Sequence, residues 1–425
     1  MILANITTPL LGLVDTAVLG HLPSVHALGG ASIGALLITQ MYWICGFLRM
    51  SLTGLSAQTL GQSKTSGYDY QQYFKPLIQG LALALLLSLC LVVLQKPILW
   101  LGSYFAEASE QTAASLNSYF SVRIFGAPAA LMNLALIGWL VGQQRTRAVM
   151  LIQIGGNLLN VWLNLLFVLV FEWQVAGVAG ATVVSEYAMM FGGLWLALHN
   201  QKALVVNREW FQFDEIRRVF SLNTAMFLRN LILQFCLAFI TFQGAQLGAK
   251  TAATNAILMQ FFVLIALGLD GVAYAVEALV GEAKGLRDKG LVWFHTQQGL
   301  LWSSAFAVVY SLFFWQLGEE LLALLTNKSE LIANALGYLP LMIVLPIIAH
   351  WCFLFDGVFI GLSNANAMRN TMLFSGILVF FPVWFILQHQ GNWALWFAFL
   401  AFLGARGVSL AWVFYWDWQK DRVLH

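Results

Sequence analysis

Long apolar runs, rather than the periodic pattern of soluble helices, organise this sequence. A helix that crosses a bilayer needs about 20 mostly apolar residues, and its backbone groups must hydrogen-bond within the segment. Twelve runs meet that length and predict twelve membrane-spanning helices with mostly short connections. Their approximate bounds are 1–20, 28–60, 76–95, 115–141, 148–171, 177–199, 219–243, 252–281, 291–316, 335–361, 370–387 and 393–416.

The composition excludes a soluble protein. Of the 425 residues, 60% are hydrophobic and 9% are charged, whereas an average soluble domain is roughly 25% charged. A soluble fold of this size could not cover so much apolar surface. The net charge of +2 comes without a dense basic patch, so no nucleic-acid partner is expected. The predicted fold class is therefore all-α and integral to the membrane.

The connection at 200–218 is the longest and most polar, and it follows the sixth span. We therefore predict an N-terminal six-helix lobe (1–199), a cytoplasmic linker (200–218), a C-terminal six-helix lobe (219–416) and a cytoplasmic tail (417–425). The first span starts at Met1 without a cationic lead or cleavage site, so it is not a cleavable signal. We expect the natural product to begin further upstream or to carry a short leader.

The distribution of Lys and Arg sets the orientation, because these residues concentrate in cytoplasmic loops. With both termini cytoplasmic, 14 of them lie on the inner side and three on the outer side. The inner set is Lys64, Lys75, Arg145, Arg147, Lys202, Arg208, Arg217, Arg218, Lys284, Arg287, Lys289, Arg369, Lys420 and Arg422. The outer set is Lys96, Lys250 and Lys328.

The two halves align with each other at a shift of about 220 residues. Gly138 then matches Gly357 and Gly142 matches Gly361, with similar hydropathy around them. Six spans per half give both lobes the same orientation, related by an axis along the membrane normal. Paired bundles of this kind favour an alternating-access carrier over a channel or an enzyme.

Several polar side chains fall inside the N-terminal spans. A charge at mid-bilayer costs at least about 2.5–3.5 kcal/mol, so such residues should face a partner or a wet cavity. Asn157, Asn160 and Asn164 share one helix face, and Thr182 and Glu186 share another. These residues predict one polar pocket in which Asp15 is the titratable member.

Asp15 is the candidate coupling residue. Burial disfavours the ionised carboxylate, while amide and hydroxyl donors restore part of its stability, so proton uptake and release are both accessible. Pro9 lies six residues earlier and removes one backbone hydrogen bond from the first span. A bend of that helix linked to protonation is therefore possible, whereas the alternative is that Asp15 only hydrogen-bonds for packing.

The C-terminal lobe has its own charges inside spans. Arg229, Asp270 and Arg406 are predicted near mid-depth, where they could neutralise one another. Glu277 lies two turns from Asp270 on one face, and Glu277 and Asp356 are predicted near the inner end. For the mid-depth cluster, structural pairing and a role in transport stay equal alternatives.

Sequence signals for cofactors are missing. There is no GxxxxGK[ST] motif, no HExxH motif and no Cys/His set with metal-ligand spacing. We therefore predict no enzyme activity, no metal and no cofactor. The energy source would be a proton gradient or a Na⁺ gradient.

Seven segments of the chain carry a family resemblance. They are TTPLLGLVDTAVLGHL (7–22), FLRMSLTGLSAQTLGQ (47–62), GNLLNVWLNLLFV (156–168), GVAGATVVSEYA (177–188), LDGVAYAVEALVGEAKG (269–285), LFDGVFIGLSNANAMRN (354–370) and ARGVSLAW (405–412). These segments resemble the multidrug and toxic compound extrusion (MATE) family, specifically its bacterial DinF-type branch, and the resemblance covers nearly the whole chain. It implies two six-helix lobes and the export of organic cations or amphiphilic drugs against an inward proton or sodium gradient.

The resemblance also assigns residue roles. It implies that Asp15 couples ion movement to transport and that the N-lobe pocket includes Asn160, Asn164 and Thr182, together with Asn133 and Asn157. The DinF-type pattern commonly has a second carboxylate where this chain has Asn164. A single carboxylate among amides fits one proton better than Na⁺, although sodium coupling stays open.

Our leading hypothesis is a monomeric proton-coupled drug exporter in the bacterial inner membrane, in contact with lipid. A lipid-precursor flippase is less favoured, because it would need many cationic side chains to hold phosphates. The spans offer only Arg49, Arg123, Arg229 and Arg406.

Overall fold

The computed structural model describes residues 18, 25–65, 70–105, 109–199 and 207–424. Helices account for nearly all of these residues, and no β-strand occurs among them. Within the described ranges, eleven helical stretches are long and apolar enough to cross a membrane. The chain is therefore an all-helical, multi-pass membrane protein, and the predicted fold class is confirmed. Of the twelve predicted spans, the first (1–20) lies outside the described residues except for Val18.

The helices are numbered here in chain order over the described residues. They are α1 (Val25–Ile44), α2 (Phe47–Ser63), α3 (Lys75–Val93), α4 (Gln95–Phe105), α5 (Glu110–Arg123), α6 (Ala127–Gly142), α7 (Thr146–Leu165), α8 (Gln174–Leu198), α9 (Phe213–Gln246), α10 (Ala249–Gly285), α11 (Lys289–Leu325), α12 (Ser329–Leu336), α13 (Leu339–Gly361), α14 (Ala365–Leu373), α15 (Phe381–Leu387) and α16 (Asn392–Gln419).

Two compact units divide the chain. The first comprises Met1–Thr59 and Ser66–Val219, and the second comprises Leu60–Thr65 and Phe220–His425. The division at 219/220 falls inside α9, which begins at Phe213 within the stretch 200–218 that the sequence predicts as a linker.

Part of the predicted linker is attached to α3. Trp210 is buried, and its carbonyl accepts a hydrogen bond of 2.7 Å from Nε2 of Gln79. Glu215 and Lys75 form an ion pair at 3.0 Å. These contacts hold the segment from 207 onward against the first unit, so this part of the predicted linker is ordered.

The helix boundaries differ from the hydropathy pattern in two ways. The predicted span 28–60 is interrupted at Cys45–Gly46, where the amide of Gly46 bonds to the carbonyl of Trp43 and starts a new helix. Two short helices, α4 and α12, occupy connections to which the sequence assigned no element. Hydropathy averaged over a span does not register a turn of two residues or a helix shorter than the bilayer.

The same glycine pair brings two helices to backbone contact in each unit. In the first, α6 lies on α2, and a Cβ on Gly142 would come 2.8 Å from the amide nitrogen of Ala57. In the second, α13 lies on α10, and a Cβ on Gly361 would come 2.9 Å from the amide nitrogen of Gly281. Gly142 and Gly361 are the residues that align in the sequence repeat, so the repeat is also a repeat of helix packing.

Candidate functional site

Two asparagines on α7 begin a buried polar network in the first unit. Asn160 and Asn164 are at most 1% exposed, and their spacing of four places them on one helix face. Nδ2 of Asn164 donates to Oδ1 of Asn160 at 2.8 Å. The amide of Asn160 is thereby oriented so that its own Nδ2 points away from Asn164.

The network continues onto α8. Nδ2 of Asn160 donates to Oγ1 of Thr182 at 3.0 Å and to Oγ of Ser185 at 3.3 Å. The two hydroxyls in turn donate to carbonyls of their own helix, Thr182 to Val178 at 3.1 Å and Ser185 to Ala181 at 2.8 Å. The hydrogen bonds therefore run in one direction, from α7 to the backbone of α8.

Glu186 lies next to this network, but its carboxylate is bound to Arg123. Nη1 of Arg123 donates to Oε2 at 2.8 Å and Nη2 donates to Oε1 at 2.5 Å. The prediction that Glu186 joins the amide pocket is corrected in this respect. One residue along an α-helix is a rotation of about 100°, so Glu186 points to another neighbour than Ser185 does.

The remaining predicted N-lobe residues are distributed around α8. Nδ2 of Asn133 on α6 donates to the main-chain oxygen of Glu186 at 2.8 Å. Asn157 lies half-buried on α7, one turn before Asn160. Asp15 and Pro9 lie outside the described residues. The structure thus joins Asn160 to both Asn164 and Thr182 by hydrogen bonds. Asn133 is connected to α8 through the main-chain oxygen of Glu186.

A wide π-helical turn follows the asparagine pair. It covers Leu166–Val170, and the amide of Phe171 bonds to the carbonyl of Leu166, five residues back. A second such turn, Phe374–Phe380, lies between α14 and α15 in the second unit. Turns of this type are rare and often accompany functional sites, and neither was predictable from hydropathy.

In the second unit, Arg229 of α9 and Arg406 of α16 both donate to Oδ2 of Asp356 on α13. All three are buried. The sequence had grouped Asp270, and not Asp356, with the two arginines. The structure adds Asp356 to this cluster, and Asp270 also interacts electrostatically with Arg406. Asp270 and Glu277 lie on α10, half-buried and buried respectively.

Sequence reasoning missed three members of these sites: Arg123, Ser185 and Asp356. Arg123 and Asp356 are among the few charges inside spans, so the cost of an unpaired buried charge was a usable signal for them. Ser185 has no comparable signal, since serine is common in membrane helices. No group of three or more His, Cys, Asp or Glu able to hold a metal occurs in the described ranges.

The sequence is similar to those of known proteins over nearly its whole length. A family model described as MatE matches residues 1–166 and 225–386. The "DNA damage-inducible protein F" of Escherichia coli K12 is 38% identical over 423 residues, which are 99% of this chain and 91% of that protein. The "Multidrug resistance protein NorM" of Vibrio cholerae is 23% identical over 443 residues, covering 100% of this chain and 95% of that protein.

Solved structures share the fold. An outward-facing multidrug resistance MATE family transporter of the MOP superfamily superposes with a TM-score of 0.86 at 16% identity, covering 99% of this chain and 94% of that one. A MOP superfamily transporter from Pyrococcus furiosus gives a TM-score of 0.85 at 16% identity, covering 100% and 94%.

Proposed function

We propose that this chain, which belongs to the MatE family of transporters and is not an enzyme, is a proton-coupled exporter of organic cations. The family membership comes from the match over both halves and from the 38% identity to the Escherichia coli relative. The names of relatives such as "Multidrug resistance protein NorM" support drug-like cations or amphiphiles as substrates.

The proposal of proton coupling is supported by the chemistry of the polar network in the first unit. Its members are neutral amides and hydroxyls, namely Asn160, Asn164, Thr182 and Ser185. The neighbouring carboxylate, Glu186, is already neutralised by a guanidinium. We infer that this network supplies hydrogen-bond donors and acceptors to one titratable group, for which the sequence proposes Asp15. A second carboxylate, which would favour Na⁺ coupling, is absent at position 164, where this chain has an asparagine.

The proposed cycle uses two charge states of Asp15. Ionised Asp15 attracts an organic cation, and protonation removes that attraction and favours release. A ligand shifts a conformational equilibrium only through different affinities for the two states, and the charge of Asp15 supplies that difference. Pro9 provides the point at which the first span bends. Asp15 and Pro9 lie outside the described residues, so their roles rest on the sequence.

The ion pairing of the arginines inside the spans supports export of cations rather than translocation of a lipid-linked phosphate. Three of the four arginines in spans, Arg123, Arg229 and Arg406, are in ion pairs with carboxylates. A guanidinium that is bound to a carboxylate offers fewer donors to a phosphate. The proposal also includes a monomer in the bacterial inner membrane with both termini cytoplasmic, as the Lys and Arg distribution predicts.

Proteoliposomes under separately imposed gradients test this proposal. An acidic interior should drive accumulation of a fluorescent organic cation by the purified protein, and a Na⁺ gradient alone should drive none. Asp15→Asn should abolish the accumulation without lowering the amount of protein in the membrane, because the amide cannot change charge.

Asp421→Asn is the matched control, since it makes the same chemical change at an exposed ion pair with Lys289. It should transport as the unsubstituted protein does. Accumulation driven by Na⁺ alone would favour the sodium-coupled alternative, and full activity of Asp15→Asn would remove Asp15 from the mechanism.

A further inference from the structure

The ion pair between Arg123 and Glu186 joins the end of α5 to the middle of α8. Both residues are less than 10% exposed, at 7% and 9%. The guanidinium meets the carboxylate with two parallel hydrogen bonds, at 2.8 Å and 2.5 Å. A two-pronged contact fixes the relative orientation of the two groups as well as their distance.

Two further helices converge on the same pair. Cζ of Arg123 lies 5.2 Å from the centre of the Tyr42 ring on α1, and Nη1 donates to the Tyr42 hydroxyl at 3.4 Å. Asn133 on α6 holds the main-chain oxygen of Glu186. Residue 186 of α8 is therefore fixed through both its side chain and its backbone.

Gly126 leaves no spare room around the pair. A Cβ on this residue would lie 2.6 Å from Nη1 of Arg123 and 2.6 Å from Oε2 of Glu186. Any side chain there would have to push the guanidinium, the carboxylate or both. The pair thus depends on a glycine at the junction between α5 and α6.

The ion pair also affects the neighbouring side chains of α8. Ser185 precedes Glu186, and Thr182 lies one turn before it, so a rotation of α8 about its axis moves all three side chains together. The hydrogen bonds from Asn160 to these two hydroxyls, at 3.0 Å and 3.3 Å, form only at one setting of that rotation. Glu186 is thus the point at which the orientation of the hydroxyls is fixed.

We propose that Arg123 is a positioning residue for transport. By binding the Glu186 carboxylate, it fixes the rotation of α8 at which Thr182 and Ser185 accept hydrogen bonds from Asn160. This inference rests on the proposed function for its transport consequence. Arg123 itself does not touch the amide network. Its effect passes through Glu186 and the α8 backbone.

Two substitutions disturb the pair without removing either charge. Arg123→Lys replaces a planar fork by a single ammonium, which cannot bind both carboxylate oxygens in the same way. Gly126→Ala keeps both partners and inserts a methyl group between them. Each should slow the initial rate of cation accumulation in proteoliposomes, Arg123→Lys by about ten-fold, as expected for loss of a hydrogen bond between charged groups.

A double-mutant cycle separates positioning from a general structural role. Ser185→Ala alone should lower the rate by a smaller factor. Combined with Arg123→Lys, it should cause no further loss, because Ser185 is already misplaced. The combined effect should depart from the product of the single effects by a factor of about two or more. The melting temperature, measured for the same four proteins in detergent, should show the same non-additivity.

Gly192→Ala is the matched control for Gly126→Ala, because it lies on α8 and a Cβ there meets nothing within 4 Å. It should leave the rate unchanged and the melting temperature unchanged or slightly raised. Additive behaviour in both cycles, or equal behaviour of Gly126→Ala and Gly192→Ala, overturns the inference. If the unsubstituted protein accumulates no cation under any gradient, the proposed function fails, and the melting cycle still decides whether Arg123 positions α8.

Discussion

Several buried charges among the described residues are paired with opposite charges of the same unit. Arg123 and Glu186 form one pair in the first unit, and Arg229 and Arg406 share Asp356 in the second. A buried ion pair contributes little net stability relative to apolar residues, but loss of one partner leaves a charge uncompensated. Loss of the shared Asp356 carboxylate would have the larger effect, because two guanidinium groups depend on it.

Asp356→Asn should therefore destabilise the second unit strongly. The amide removes the negative charge between two buried arginines, and breaking a buried pair in this way typically costs about 3–5 kcal/mol. We expect a marked fall in the melting temperature of the purified protein and in its resistance to denaturing detergent.

The control for this change is Glu330→Gln. Glu330 pairs with Lys250 at 2.6 Å, but the side chains are 76% and 49% exposed. An ion pair in water contributes little because solvent screens it, so the melting temperature should not change. An equal, small effect of both substitutions would show that Asp356 is not the charge on which the arginines depend.

The candidate site was only partly readable from the sequence, for a definite physical reason. Spacing along one helix correctly grouped Asn160 with Asn164, because that contact is local. The sequence does not specify which face of α8 meets α5, so the partner of Glu186 could not be assigned. Asp356 was left out of the arginine cluster because the grouping was judged from hydropathy, whereas its partners come from two other helices.

At the level of helices, packing in both units depends on glycines that admit another backbone. Gly142→Ala and Gly361→Ala should each destabilise the protein by about 1–3 kcal/mol, the usual cost of overpacking a close contact. Each new methyl group would lie within 3 Å of main-chain atoms that cannot move independently of their helix. Thermal melting of each purified variant measures the effect.

Gly155→Ala gives the opposite expectation and serves as the control. A Cβ on Gly155 meets nothing within 4 Å, and alanine favours a helix over glycine by roughly 1 kcal/mol in water. This variant should melt at or slightly above the temperature of the unsubstituted protein. Destabilisation equal to that of Gly142→Ala would mean that backbone contact does not explain the effect at Gly142, because Gly155 makes no such contact.

The span prediction succeeded where length and apolarity alone determine an element. The described helices include the eleven spans expected after the first. The interruption at Cys45–Gly46 and the π-helical turns depend on single backbone hydrogen bonds, which leave no mark on averaged hydropathy. The helical start of α9 at Phe213 was missed because its first residues are polar.

For the whole molecule, the repeat is a property of packing as well as of sequence. Each unit contains a helix with two glycines, at 138 and 142 or at 357 and 361, that lies against the backbone of another helix. The sequence predicts six spans in each lobe, and this even number predicts one orientation for both lobes and one side of the membrane for both termini.

The orientation of the chain in the membrane can be measured at the two ends of a single helix. α11 runs from Lys289 to Leu325 with a kink at Leu317, and the part before the kink, 289–316, spans about 42 Å, enough to place its two ends on opposite faces of a bilayer. The excess of Lys and Arg near its start predicts that this end is cytoplasmic. In a variant without the four native cysteines, a membrane-impermeant maleimide should label Asn327→Cys in intact cells. Gly290→Cys should be labelled only after permeabilisation. The reverse pattern would invert the orientation of the whole chain and place both termini outside.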